Sequence, residues 1–273
     1  MGCGYATAIV FWVELGFMTL FLRKPYFRAT RFFAVFEQPQ WATIGKIFKL
    51  GFPIALTVFL EMALFGAIGF FVAKISVTEM AAHSIASNLN WMTYVIPMGI
   101  GSAASIRIGF LIGAGNLDLA RATAWAILKF AIGYALIVSV LLVAFRYQLV
   151  SVYTTDLAVT SVAVLLLLFI AVYQIVDDTQ AVLVSALRGY KDTAVPMLIS
   201  LVSYWLLALP LGYALAEGLL GDSPLGVYGY WTGLTVALSV VAIGAGLRLR
   251  YISSDYDRIR NLTAAEANAV PQI

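Results

Sequence analysis

Asp177 and Asp178 stand side by side in a run from Leu157 to Leu187 that holds no other charged residue. Tyr173 precedes Asp177 by four positions, Gln174 precedes Asp178 by four, and Gln180 follows. Residues four apart share a helix face, so a phenol stands beside one carboxylate and an amide beside the other. Such a set supplies oxygen ligands suited to Na+ or hydrogen bonds suited to a hydrated proton. A tyrosine face alone is ordinary packing. A carboxylate one turn away, inside an apolar run, makes it a candidate ion site. Glu61, in GFPIALTVFLEMALFGAIGFF, adds an acid from a second apolar run.

Depth follows from the nearest flanking bases. Asp177 precedes Arg188 by a helical rise of about 16 Å, and Glu61 follows Lys49 by about 18 Å. In a hydrocarbon core about 30 Å thick both acids fall near the midplane. An ionised acid there is costly unless paired or hydrated, so it faces a bundle interior or a wet cavity. Lys129 lies about 12 Å from Arg121 along its helix, within reach of either the interior or, by snorkelling, the surface. The acids are therefore expected to be held by protons or bound cations, against the alternative of neutral, hydrogen-bonded structural acids. Glu14, with no polar companion on its face, is read as structural or snorkelling. His83, at the start of a span, is read as a hydrogen-bonded cap, with pH sensing as the alternative.

The elements that carry these residues are membrane helices. The chain is 62% hydrophobic and 11% charged, with mean hydropathy +0.92, where a soluble domain is about a quarter charged. Seven runs are long enough to span: 4–22, 50–73, 81–106, 122–145, 158–187, 194–216 and 225–247. Backbone groups in lipid must be satisfied within the segment, and the runs lack the short alternating pattern of a membrane barrel, so the fold class is all-α, a polytopic helix bundle. Net charge is only +3 and the bases lie between the spans, which excludes a nucleic-acid-binding face. The single cysteine, Cys3, excludes an intrachain disulfide framework and a multi-cysteine metal cluster.

Alternate loops carry the bases. Fourteen of the 17 Lys and Arg fall on one side and two on the other, which places the C-terminus in the cytoplasm and the N-terminus outside. The N-terminus has no basic region and does not read as a signal peptide. An outside N-terminus without one is expected where a longer protein precedes it. Residues 23–49 mix bases with aromatics and read as a cytoplasmic linker on the lipid headgroups. Residues 251–273 are polar and read as a disordered cytoplasmic tail. Gly101, Ser105, Gly109 and Gly113 form a four-residue ridge of small residues for close helix packing. Pro53, Pro97, Pro196 and Pro210 lie in or at the start of spans, where they permit kinks.

In LKLGFPIALTVFLEMALF, AAHSIASN, IPMGIGSAASIRIGFLIGAG, AVYQIVDDTQ and LRGYKDT, taken in order and to about Arg250, the chain resembles the MATE (multidrug and toxic compound extrusion) transporters, NorM branch. The resemblance implies secondary active efflux of cationic, amphipathic drugs in exchange for Na+ or H+, in a bacterial inner membrane, without catalysis and with no cofactor beyond the coupling ion. It implies that 1–22 is the last helix of a first lobe, 23–49 the inter-lobe linker and 50–250 a six-helix C-terminal lobe, whose partners are membrane lipid, small cationic drugs and an N-terminal lobe missing from this chain. The cation or proton site implied is Glu61, Tyr173 and Asp177, with Na+ at these three. Phe65 matches an aromatic facing substrate and Asp156 an acid at the cavity mouth. Ser84, Asn88 and Asp178 are carried as substrate or auxiliary positions; Ser84 stands where the family has a glutamine.

Four other readings compete, one of them an intramembrane hydrolase, which needs a Gly-x-Gly-Asp, His-Glu-x-x-His or Ser/His site that the sequence lacks. A lipid-linked oligosaccharide flippase of the same superfamily wants several bases in its cavity, where only Lys129 is available. A non-transporting half-protein or truncated gene product shares every motif. A retinal protein needs a midplane lysine in the last span, and GYWTGLTVALSVVAIGAG has none.

Overall fold

The computed structural model describes residues 2–24, 40–221 and 223–267. The chain divides into two compact units, Met1–Gly45 and Lys46–Ile273. The first holds α1 (Gly2–Leu22), apolar but for Glu14. Then come α2 (Trp41–Ile75), α3 (Val77–Gly113), α4 (Leu117–Ala144), the short α5 (Arg146–Ser151) and α6 (Leu157–Gly189). The next span is α7 (Ala194–Leu201), a π-helical stretch (Val202–Ala208) and α8 (Leu209–Ala216), followed by α9 (Val227–Ser253) and α10 (Tyr256–Ala267). Seven spans among the described residues are long and apolar enough to cross a membrane. The fold is an all-α membrane bundle, as the apolar runs require.

Local chemistry sets the breaks. Ser76 alone separates α2 from α3 and accepts from the Glu79 amide at 3.0 Å, a side-chain N-cap. Asp156 caps α6, accepting from the Ala158 amide at 2.8 Å. The ends of α3, α6 and α8 share one geometry. In α6 the Asp192 amide donates to the Leu187 carbonyl and the Lys191 amide to that of Arg188, which closes the last turn through a left-handed residue. Gly115 and Gly218 take that position after α3 and α8, whereas Lys191, at φ 63°, takes it after α6. Gly189 is reserved for packing: a Cβ there would lie 2.9 Å from the Ser105 carbonyl oxygen and the Ile108 Cβ.

Pro210 explains the π-helical stretch. It has no N–H to offer Leu206, and the Leu209 amide reaches back five residues to the Tyr204 carbonyl. The register slips by one residue there. Among the residues so displaced is Tyr204, which is buried.

The core lies around α6, which packs against α3, α4 and α9 and is buried on most sides from Leu166 to Gly189. On α2 a four-residue stripe (Leu60, Leu64, Ile68, Val72) faces inward while Phe52, Phe59 and Phe70 face out, the expected division between bundle and lipid.

Two boundaries differ from the sequence reading. Trp41–Lys49, expected in the linker, is already helical, and 25–39 lie outside the described residues. The tail, expected to be disordered from 251, completes α9 and then forms α10. Asp255 accepts from the Asp257 amide, the Arg258 guanidinium covers the Tyr251 ring at 3.7 Å, and Ile259 is buried. One buried apolar anchor, one cap and one cation–π contact order a segment whose composition is polar. Residues 268–273 lie outside the described residues.

Candidate functional site

Three helices enclose a cavity of about 140 Å³. From α2 come Thr57 and Glu61, from α3 Tyr94 and Ser102, and from α6 Gln180 and Arg188. On α2, Thr57, Glu61 and Phe65 follow one another at one-turn intervals, so one face of that helix delivers all three. On α6, Tyr173, Asp177, Gln180 and Arg188 form the matching stripe.

Asp177 is buried and sits behind the cavity wall. The side chains of Tyr173 and Gln180 lie beside its carboxyl, and Glu61 and Asp178 act on it electrostatically. The Tyr173 hydroxyl and Oδ1 of Asp177 are nonetheless buried with no hydrogen-bond partner. Tyr94 and Tyr204 share the field of Glu61 and Asp177. The structure thus brings Glu61, Tyr173 and Asp177 together. Their donor set is carboxylate and phenol oxygen, which suits a hard monovalent cation or a proton. No group of three His, Cys, Asp or Glu side chains gathers among the described residues.

Rings back the site. Phe65 meets Tyr173 edge-on at 6.5 Å and Trp231 at 6.3 Å. The Trp231 indole N–H donates to Nδ1 of His83 at 3.2 Å, so the buried histidine is a hydrogen-bonded packing residue that joins α3 to α9.

Asp178 belongs to a different neighbourhood. The Gln174 amide donates to its Oδ1 at 2.7 Å, Thr93 donates to the Gln174 oxygen at 2.9 Å, and Tyr134 donates to the Thr93 carbonyl at 2.9 Å. Ser84, Asn88 and Asp156 do not line the Glu61 cavity. Ser84 donates to the Met80 carbonyl of its own helix, Asn88 accepts from the Tyr153 hydroxyl, and Asp156 caps α6.

Arg188 was used above as a marker of the membrane surface. Its side chain lines the cavity, where it acts electrostatically on Glu61, Tyr94 and Tyr204 without an ion pair to either acid. The spacing held the signal: Arg188 lies eleven residues, three turns, beyond Asp177 and therefore on the same face. Tyr94 was missed for a similar reason; Trp91, Tyr94, Met98 and Ser102 form a stripe that an apolar reading absorbs as packing. Lys129, the other base considered for the interior, is exposed.

A MatE family profile matches residues 53–214. The probable multidrug resistance protein NorM of Shewanella oneidensis is 40% identical over 252 residues, 92% of this chain and 55% of that protein. The multidrug resistance protein MdtK of Edwardsiella ictaluri is 35% identical over 253 residues, 92% of this chain and 55% of that one. The chain thus spans about half the length of the curated relatives it matches. Among solved structures, the eukaryotic MATE transporter AtDTX14 superposes with a TM-score of 0.84 at 21% identity, over 96% of this chain and 57% of that one. The Vibrio cholerae MATE transporter VcmN in its bent form gives 0.75 at 17%, over 95% and 56%. With the profile covering more than half of its length and the same bundle in its structural neighbours, the chain belongs to the MatE family.

Proposed function

We propose that this chain is the ion-coupling lobe of a secondary active exporter in a bacterial inner membrane, moving cationic, amphipathic drugs outward in exchange for Na+ or H+. The observation that carries the reading is that Glu61 and Asp177, from two different spans, act on one another and on the buried Tyr173 phenol. Two carboxylates in a low-dielectric interior need positive charge, and three sources compete: a proton, Na+, or the charge of a drug. A site that holds one positive charge at a time couples the exit of one species to the entry of another, because each weakens the binding of the rest. Asp177 and Glu61 carry the ion, Tyr173 supplies a third oxygen, and Arg188 stands near enough to Glu61 to stabilise the acids once the ion has left. Phe65, beside Tyr173, offers an aromatic face to a cationic drug. The relatives, named multidrug resistance proteins, agree with this cargo. The charge bias of the loops favours a cytoplasmic C-terminus.

The test is binding of radiolabelled sodium, by scintillation proximity, to the chain in lipid nanodiscs, with a pH-indicator dye reporting protons released. Glu61→Gln and Asp177→Asn are expected to abolish saturable sodium binding, proton release on cation addition, or both. If neither variant changes either signal, the reading is wrong.

A further inference from the structure

The α3 helix opens on Ser76-Val77-Thr78-Glu79. The Ser76 hydroxyl accepts from the Glu79 amide, the first half of a capping box, in which the glutamate side chain ordinarily turns back to the serine amide. Here the carboxylate goes to another helix: Oε2 of Glu79 accepts from the Val227 amide at 2.7 Å. Val227 is the first residue of α9, and Gly226 before it has no side chain to cap with. Glu79 therefore caps α9 from α3, satisfying an orphan amide and setting negative charge beside the N-terminal ends of both helices. Gly226 is suited to this carboxylate. Its φ is 56°, and a Cβ there would lie 2.7 Å from Oε2 and 2.9 Å from Oε1 of Glu79.

The pairing repeats one turn on. His83 follows Glu79 by four residues, Trp231 follows Val227 by four, and the Trp231 indole N–H donates to Nδ1 of His83 at 3.2 Å. The two helices start at the same end of the bundle and run in parallel, with the two rungs about 6 Å apart along them. Both helices pack on α6 far more than on one another, so these side-chain bonds tie the start of α9 to α3. The second rung touches the ion site. Trp231 meets Tyr173 at 5.1 Å and Phe65 at 6.3 Å. Glu79 does not line the Glu61 cavity, so it reaches that site only through α9.

We propose that Glu79 is a positioning residue for the ion site: it fixes the first turn of α9 against α3, so that Trp231, one turn deeper, holds the Tyr173 phenol beside Asp177. The proposal rests on the reading of Glu61, Tyr173 and Asp177 as the cation site.

Two signals from the full chain in nanodiscs test it. Ultraviolet resonance Raman spectra report the strength of indole N–H hydrogen bonds, and subtracting the spectrum of Trp231→Phe isolates Trp231. Radiolabelled sodium binding, with proton release followed alongside, reports the ion site. Glu79→Leu is expected to weaken the Trp231 hydrogen bond and to lower ion affinity about fivefold, the size of one lost hydrogen bond. Glu79→Gln keeps an acceptor oxygen and is expected to restore both signals. If Glu79→Leu does not fold, Val227→Pro removes the donor instead, at the helix position where proline is accepted. An unmoved indole band, a moved band with unchanged ion affinity, or no restoration by Glu79→Gln would each overturn the proposal. A wild-type chain with neither sodium binding nor proton release would instead overturn the reading of the cation site, and the indole band would still decide whether Glu79 holds Trp231.

Discussion

Trp231 meets Tyr173 edge to face, with ring centroids 5.1 Å apart and planes at 85°. His83 holds the indole from one side and Phe65 packs against both rings. Four helices are joined at this level, and the Tyr173 phenol is fixed beside Asp177 by contacts that do not involve its oxygen. Tyr173→Phe keeps those contacts and removes the oxygen alone. Cation binding is expected to weaken by about tenfold, the loss of one oxygen ligand worth ~1.4 kcal/mol, while thermal stability in detergent stays within about 0.5 kcal/mol. An unchanged sodium-binding isotherm would exclude the phenol as a ligand.

Glu61 and Asp177 act on one another, so their contributions to binding should not add. Each single amide substitution is expected to cost most of the affinity, with the double variant little worse than either single one. A coupling of about 1–3 kcal/mol is the range for groups sharing one network. Additive losses would mean two independent cation sites.

The parts of the site legible in the sequence were those fixed along one helix. Tyr173 and Asp177 share a face because 3.6 residues make a turn, and Thr57, Glu61 and Phe65 share another for the same reason. What depends on contact between helices was not legible. Arg188 was read only as a marker of depth, because a base near the end of an apolar run usually lies at the surface; that it lines a cavity depends on how α6 packs against α3, α4 and α9. Asp178 looked like a companion of Asp177, and only the position of Thr93 on α3 shows that it has its own partners. The π-helical stretch depends on how Pro210 and its neighbours share out backbone bonds, for which composition gives no signal. The helix α10 was lost because its apolar anchors, Ile259 and Leu262, are too few to stand out in a polar tail.

Arg248 donates from Nε to Oδ2 of Asp192 at 2.7 Å, with the aspartate side chain 5% exposed and the arginine 28%. The pair ties the turn after α6 to the end of α9. Arg248→Met leaves a buried carboxylate unpaired and is expected to cost about 2 kcal/mol, below the range for fully buried pairs because the arginine is partly solvated. Adding Asp192→Asn should recover part of that loss. Thermal unfolding of the single and double variants decides it; additive losses would mean that the two residues act separately.

Gly229 and Gly233, one turn apart on α9, let two helices meet backbone to backbone. A Cβ at Gly233 would lie 2.7 Å from the Ala208 carbonyl oxygen and from Cα of Gly212, and one at Gly229 would overlap the backbone of Ala216. The small-residue ridge on α3 is used less evenly: a Cβ at Gly101 would lie 2.7 Å from the Ser185 hydroxyl, but at Gly113 nothing lies within 4 Å. The distinction predicts opposite outcomes for one chemical change. Gly233→Ala and Gly229→Ala must push α9 away from α8 and are expected to destabilise by about 1–3 kcal/mol each. Gly113→Ala meets no neighbour and restricts the unfolded chain, so it should be neutral or stabilise by up to about 1 kcal/mol. Because Ala208 ends the π-helical stretch, the contact at Gly233 also holds the slipped register against α9. Gly233→Ala is therefore expected to disturb the surroundings of Tyr204, and with them cation binding, whereas Gly113→Ala leaves binding unchanged. Equal melting temperatures for the two variants would show that the close approach contributes nothing to stability.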